Sequence, residues 1–212
     1  MMGRDDGKSE AEKPARKVSV QPFFMDVYET TNEQYAEFIK ATNHKPPNEW
    51  QNGNYPTGQA KFPVVGADWN DANDFAKWAG KRLPTEEEWE FAARGTSNLL
   101  YPWSNNWKPG NANANGASKF FSEVGKFKGA SPFGIYDMVG NAWEWTSSDF
   151  TAYPNGKVPK DFAGKINLKT IRGGSFETTK EYSTTTYRIG WAAIDAENYS
   201  QTGFRCVNNI EK

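Results

Sequence analysis

GIYDMVGNAWEWTS, residues 134–147, decides how this chain is read. Asp137 and Glu144 are carboxylates seven residues apart, and Gly140-Asn141 between them marks a turn. Trp143 and Trp145 then alternate with Glu144 and Thr146, the period-two pattern of a strand. Two readings fit. In one, a turn leads into a strand that carries two core tryptophans. In the other, the turn's carbonyls and the two carboxylates surround a hard cation such as Ca²⁺, which takes roughly six to eight oxygen ligands. Spacing alone favours the first, because carboxylates beside turns are common without metal.

The rest of the composition suits a strand-and-turn protein with a core of large rings. Of 212 residues, 15% are aromatic and nine are tryptophan, while 19 glycines and 12 prolines predict many loops. The length fits one domain with a sizeable core. A net charge of −1 gives no electrostatic case for nucleic acid or a membrane surface. The chain contains no eighteen-residue apolar run, so no membrane insertion is expected. Residues 1–20 are polar and lack a signal-peptide pattern. The single cysteine, Cys206, excludes an intrachain disulfide and any cysteine-pair chemistry. The single histidine, His44, excludes a multi-histidine metal site and reads as a surface or turn residue.

Around the central stretch, residues 1–16 are charged and are expected to be flexible, with the folded domain at 17–212. Residues 17–29 read as one or two strands. Thr31 and Gln34 form a capping box before a helix with Tyr35, Phe38 and Ile39 on one face. Asn70 is the expected cap of a second helix that buries Ala72, Phe75, Ala76 and Ala79 and stops at Gly80. Thr85 and Glu88 open a third, closed by Gly95. Its glutamates 86–88 suit the positive end of the helix dipole better than a catalytic role. Residues 96–133 read as irregular, and Asn111, Asn113 and Asn115 there serve either turns or a second cation. Residues 170–176 read as a strand into a Gly-Gly turn, 177–201 as polar and aperiodic, and 203–208 as a closing strand. The chain has no P-loop, dinucleotide glycine motif or nucleophile elbow.

Four stretches together are more specific than any alone: FFMDVYETTNEQYAEF at 23–38, FPVVGADWNDANDFAKWAGKRLPTEEEWEFAARG at 62–95, PFGIYDMVGNAWEWTS at 132–147, and IRGGSF at 171–176 with GFRCV at 203–207. In this order the chain resembles the formylglycine-generating enzyme / sulfatase-modifying factor family over nearly its whole length. The resemblance implies an α+β, C-type-lectin-like fold: a small twisted antiparallel sheet, a few helices and extensive ordered loops. It also implies Ca²⁺ bound by Asp137, Gly140, Ala142 and Glu144, which reverses the weighting above. A second family site would fall near Asn111 and Ala112, where the later ligands do not align. The family's catalytic members use two cysteines that hold copper, a metal that soft thiolates select. Those cysteines would lie within 177–184, which here reads ETTKEYST and has no sulfur. Cys206 belongs to the GFRC strand motif. No copper and no formylglycine formation are therefore expected. A further branch uses iron held by histidines, which His44 alone cannot replace.

The expected function is a non-catalytic ligand-recognition module, a pseudoenzyme on a calcium-stabilised scaffold within a larger bacterial-type signalling or surface protein. Its ligand would be a protein, peptide or glycan. The groove would be lined by Glu177, Tyr182, Tyr187, Arg188, Trp191 and Asp195, with Trp143 and Ser175 in the pocket. Three alternatives stay open: a variable ligand-binding protein of a diversity-generating retroelement, an enzyme with cysteine-independent chemistry on a small molecule, and a structural scaffold. No acid–base pair has a spacing that demands catalysis.

Overall fold

A computed structural model describes residues 1–194 and 200–210. The described residues include three α-helices: α1 (Asn32–Thr42), α2 (Trp69–Trp78) and α3 (Glu86–Arg94). Each begins with a reciprocal capping box, in which the cap side chain accepts from the third helical N–H and that residue's side chain accepts from the cap N–H. The pairs are Thr31/Gln34, Asp68/Asp71 and Thr85/Glu88. The expected cap at Asn70 is thus corrected to Asp68: Asp71 N donates to Asp68 Oδ1 at 2.9 Å and Asp68 N to Asp71 Oδ2 at 3.1 Å. Asn70 offers no such reciprocal partner and lies inside the helix.

The strands are β1 (Phe23–Met25), β2 (Trp143–Asp149), β3 (Leu168–Arg172), β4 (Arg188–Ala192), β5 (Thr202–Gly203) and β6 (Val207–Asn209). They form a four-stranded sheet in the order β4-β3-β2-β5 and a separate β1-β6 pair. All pairings are antiparallel except β2 with β5. The architecture is α+β, with few helices and long connecting loops. The expected closing strand at 203–208 splits into β5 and β6, because the intervening Phe204, Arg205 and Cys206 turn their side chains into the interior. β4 lies in the segment that reads as aperiodic. Its first residue, Arg188, is polar but fully buried, so the strand shows no apolar alternation.

The main core joins α1, α2 and the sheet. Tyr35 stacks on Phe75 at 5.7 Å, Phe204 meets Phe75 edge-on at 5.3 Å, and Trp145, Ile171, Leu83 and Cys206 complete it. β2 is buried on both faces: Trp145 is in this core, and Glu144 and Thr146 on the opposite face are also fully buried. Among the described residues no helix is long and apolar enough to cross a membrane.

Residues 1–16 do not conform to the expectation of a flexible segment. Ser9 and Glu12 cap a 3-10 turn (Glu10–Glu12), and Met2, Ala11 and Glu12 are buried. Gly3 N donates to Glu90 Oε1 at 2.7 Å, Arg94 donates to Gly3 O at 3.1 Å, and Thr186 Oγ1 donates to Glu12 Oε2 at 2.6 Å. The segment's charges and backbone groups meet buried partners far away in sequence, which composition cannot reveal. Glu86 of α3 likewise meets buried Arg188, 102 residues away, while Glu87 pairs with Arg16 and Glu88 with Arg82 at partly exposed positions.

Candidate functional site

The 134–147 stretch folds back through residues of positive φ: Asp137 at 56°, Gly140 at 82° and Asn141 at 62°. A side chain on Gly140 would put its Cβ 2.6 Å from Asn113 O, so the turn needs glycine there. Asn141 is fully buried and ties the site together. Its Nδ2 donates to Glu29 Oε2 at 2.6 Å, and its Oδ1 accepts from Ser122 N at 2.9 Å and Asn113 Nδ2 at 3.1 Å. Its carbonyl accepts from Phe176 N at 3.0 Å.

Glu144 is wholly buried against Arg205, which is equally buried. Arg205 Nη2 donates to Oε1 at 2.7 Å and Nε to Oε2 at 2.8 Å, while Trp89 Nε1 also donates to Oε2 at 2.8 Å. Asp137 accepts from Gly125 N at 2.6 Å, and Glu29 Oε1 accepts from Ala142 N at 3.1 Å. Three buried carboxylates, Glu29, Asp137 and Glu144, thus surround one guanidinium. Burial first, then Asp137 and Glu144, hold the Glu29 carboxyl well above the usual range. Burial pushes Asp137 up to about 6, against the Gly125 N–H and Arg205. Glu29 has no sequence signal, since it is a lone acid before a helix cap.

Both oxygens of Glu144, expected as a calcium donor, are engaged by Arg205 and Trp89. Among the described residues no three His, Cys, Asp or Glu side chains are arranged to hold a metal. Of the expected calcium donors, Asp137 and the carbonyls of Gly140 and Ala142 are not hydrogen-bonded to Arg205. At the expected second site, the Asn111 carbonyl accepts from Gly129 N at 2.9 Å and Ala112 is buried. The buried oxygen without a partner in that loop is Asn113 Oδ1, not Asn111.

In metal-free protein the Asp137 shift has a definite sign. The folded state holds the Asp137 proton more tightly than the unfolded state does. Its contribution to stability is therefore full below pH 3.8 and is lost as pH rises to about 6. In chelator, the Asp137→Asn variant should flatten that part of a melting-temperature-against-pH curve.

The second half of the site follows β3. Gly173 and Gly174, at φ 91° and 80°, turn the chain into 175–184. Ser175 N donates to Thr178 Oγ1 at 2.9 Å and Ser183 Oγ to Thr178 O at 3.4 Å. This turn carries hydroxyls and no thiol. Cys206 lies in the main core, where burial pushes its thiol up to about 12. It is expected to resist iodoacetamide in native protein at pH 8 and to react fully in denaturant, measured by intact mass.

Ser175 Oγ donates to Gln201 Oε1, and Gln201 Nε2 donates to Glu177 Oε2, both at 2.6 Å. Gln201 also accepts from Trp143 N through its carbonyl, at 2.9 Å. Trp143, Ile171, Trp191, Ser200, Gln201 and Thr202 line a pocket of about 230 Å³. Tyr187 lies 6.1 Å from the Trp143 ring, and Tyr182 lies 5.0 Å beyond Tyr187. The structure therefore brings Trp143, Trp191, Ser175, Glu177, Tyr187 and Tyr182 to one region. Arg188 is a correction: its guanidinium is buried on Glu86, with bonds of 2.7 and 2.9 Å, and cannot line the groove. Asp195 lies outside the described residues. Gln201, which links the groove residues, has no sequence signal.

Residues 1–210 match the sulfatase-modifying factor enzyme 1-like domain. An inactive C-alpha-formylglycine-generating enzyme 2 from Mus musculus is 31% identical over 268 residues, covering 99% of this chain and 82% of that protein. A formylglycine-generating enzyme from Bos taurus is 32% identical, covering 97% of this chain and 71% of that protein. Among solved structures, PvdO from Pseudomonas aeruginosa superposes with a TM-score of 0.78 at 26% identity, over 99% of this chain and 90% of that one. Treponema denticola variable protein 1 gives 0.76 at 21% identity, over 99% and 91%, a likeness of fold alone. On this evidence the chain, with its C-type-lectin-like α+β fold, belongs to the sulfatase-modifying factor enzyme 1-like family.

Proposed function

We propose that this chain is a non-catalytic ligand-recognition module whose binding site is the pocket between Trp143 and Trp191. One observation carries the reading. The turn after Gly173-Gly174 presents Ser175, Thr178 and Ser183 where redox chemistry would need thiols, and it stands beside an aromatic pocket. Hydroxyls bind soft copper poorly, whereas rings and adaptable polar groups suit recognition. The similarity to an inactive formylglycine-generating enzyme 2 points the same way. Protein retained on a peptide or glycan array, with retention lost in Trp143→Ala, is the expected result. A sulfatase-type peptide incubated with this chain and copper should yield no formylglycine by mass spectrometry. Detection of that product would overturn the non-catalytic reading.

A calcium ion at Asp137, Gly140 and Ala142 belongs to the same proposal, as does a place in a larger signalling or surface protein. The ion would neutralise charge left by three carboxylates around one arginine. EDTA is expected to lower the melting temperature, and Asp137→Ala to remove that sensitivity. A wild-type melt indifferent to EDTA would reject the ion. A second reading, a variable protein of a diversity-generating retroelement, rests on the likeness to Treponema denticola variable protein 1. It requires sequence variation concentrated in 177–201 among copies from one population.

A further inference from the structure

Building on the pocket as a recognition site, we infer that the group it takes is an alkylammonium cation of the kind carried by a lysine side chain. The walls are the first reason. Trp143 and Trp191 line the pocket, and the Tyr187 and Tyr182 rings continue the aromatic surface outward. Ring faces carry negative quadrupole charge and attract a cation within about 6 Å.

The rim is the second reason. Gln201, a wall residue, is pinned at both ends of its amide: Ser175 donates to its oxygen and its nitrogen donates to Glu177. The Glu177 carboxylate is thereby fixed one side chain away from the pocket. Among the described residues Glu177 is in no ion pair, whereas Asp149, Glu90 and Glu86 are each paired. Three neighbouring cations are committed elsewhere, and Lys180, exposed three residues after Glu177, is not among the residues that line the pocket. Lys169, opposite Trp191 across β3 and β4, binds Asp149 at 2.7 Å and sits 4.2 Å from the Trp69 ring. Arg172 and Arg188 are buried on Glu90 and Glu86. The described residues that line the pocket offer π faces and no cation, and Glu177 adds a carboxylate at its rim. An anionic ligand would meet repulsion from that carboxylate, and a neutral one would gain nothing from its charge.

The test uses the whole chain, labelled with ¹⁵N and followed through its tryptophan indole signals. The probes are Nα-acetyl-lysine N-methylamide and the same molecule acetylated at Nε, which removes the charge and keeps the stem. The charged probe is expected to shift the Trp143 signal, assigned from Trp143→Phe, and to bind at least about tenfold more tightly than the neutral one. Glu177→Gln should reduce that preference to about twofold. The new amide oxygen still accepts from Gln201 and the position is exposed, so an unchanged melting temperature is the control for folding. Equal binding of the two probes, binding of neither, or a preference that survives Glu177→Gln would each overturn the inference. A neutral or anionic array ligand whose retention depends on Trp143 would overturn it too, yet leave the recognition reading standing. Absence of any Trp143-dependent ligand would overturn both.

Discussion

Arg205→Ala is expected to destabilise the fold by about 3–5 kcal/mol, the range for removing one partner of a buried ion pair. Domains of this kind have about 5–15 kcal/mol of total stability, so the variant should sit close to the unfolding threshold. The loss is large because Arg205 has several tasks. It makes both charge-assisted bonds to Glu144 and donates to the carbonyls of Asp26, Val27 and Tyr136. Among the described residues it is also the guanidinium that acts on all three of Glu29, Asp137 and Glu144. Removing it leaves Glu144 with the Trp89 N–H alone. Urea denaturation of wild type and variant measures the difference. The double variant Glu144→Gln/Arg205→Met should recover part of it, because no uncompensated charge then remains at that pair. A cost below about 1 kcal/mol would mean that water reaches Glu144.

Trp145→Ala is the second large effect, at about 3–5 kcal/mol. Trp145 is fully buried in the main core, and its Nε1 donates to Ala67 O at 3.1 Å. Truncation opens a cavity among Ile171, Leu83 and Phe204 and leaves the Ala67 carbonyl without that donor. Trp143 has the same chemistry two residues earlier on the same strand, yet it is only half-buried and borders the pocket. Trp143→Ala should therefore cost less, roughly 1–2 kcal/mol, since its ring packs against the main core without being enclosed by it. The two variants compared by thermal melting separate a packing tryptophan from a binding one. Equal losses would place Trp143 in the core and weaken its assignment to the pocket.

These two tryptophans also show how much the sequence conveys. Their alternation with Glu144 and Thr146 was enough to place β2, because a strand's period is a local property. It could not tell which ring faced the core and which the pocket. That difference depends on where β5 ends and on Ser200–Thr202 beside it, segments adjacent only in the folded chain. It also could not show that β2 is buried on both faces, since Glu144 reads as a solvent-facing or metal-binding acid until Arg205 is brought against it. Of the groove residues, the rings and Glu177 were legible as types that suit recognition. Arg188 shows the opposite case: a long polar side chain suggests a surface, but Glu86, 102 residues earlier, holds it inside.

What the amino-acid sequence determined by itself was the helices with their boxes at Thr31 and Thr85, the glycine stops at Gly80 and Gly95, the ring-rich core and the lack of thiols beside Ser175. Each depends on neighbours within a few residues or on the mere presence of a residue type. Only the tertiary structure decided the packed N-terminal segment, the Glu29–Asp137–Glu144 cluster around Arg205, and the Ser175–Gln201–Glu177 chain at the pocket. Their partners lie far apart in sequence, 61 residues for Glu144 and Arg205 and 112 for Glu29 and Asn141. A buried charge carries no local mark of its partner, because desolvation makes it depend on whichever opposite group the fold delivers.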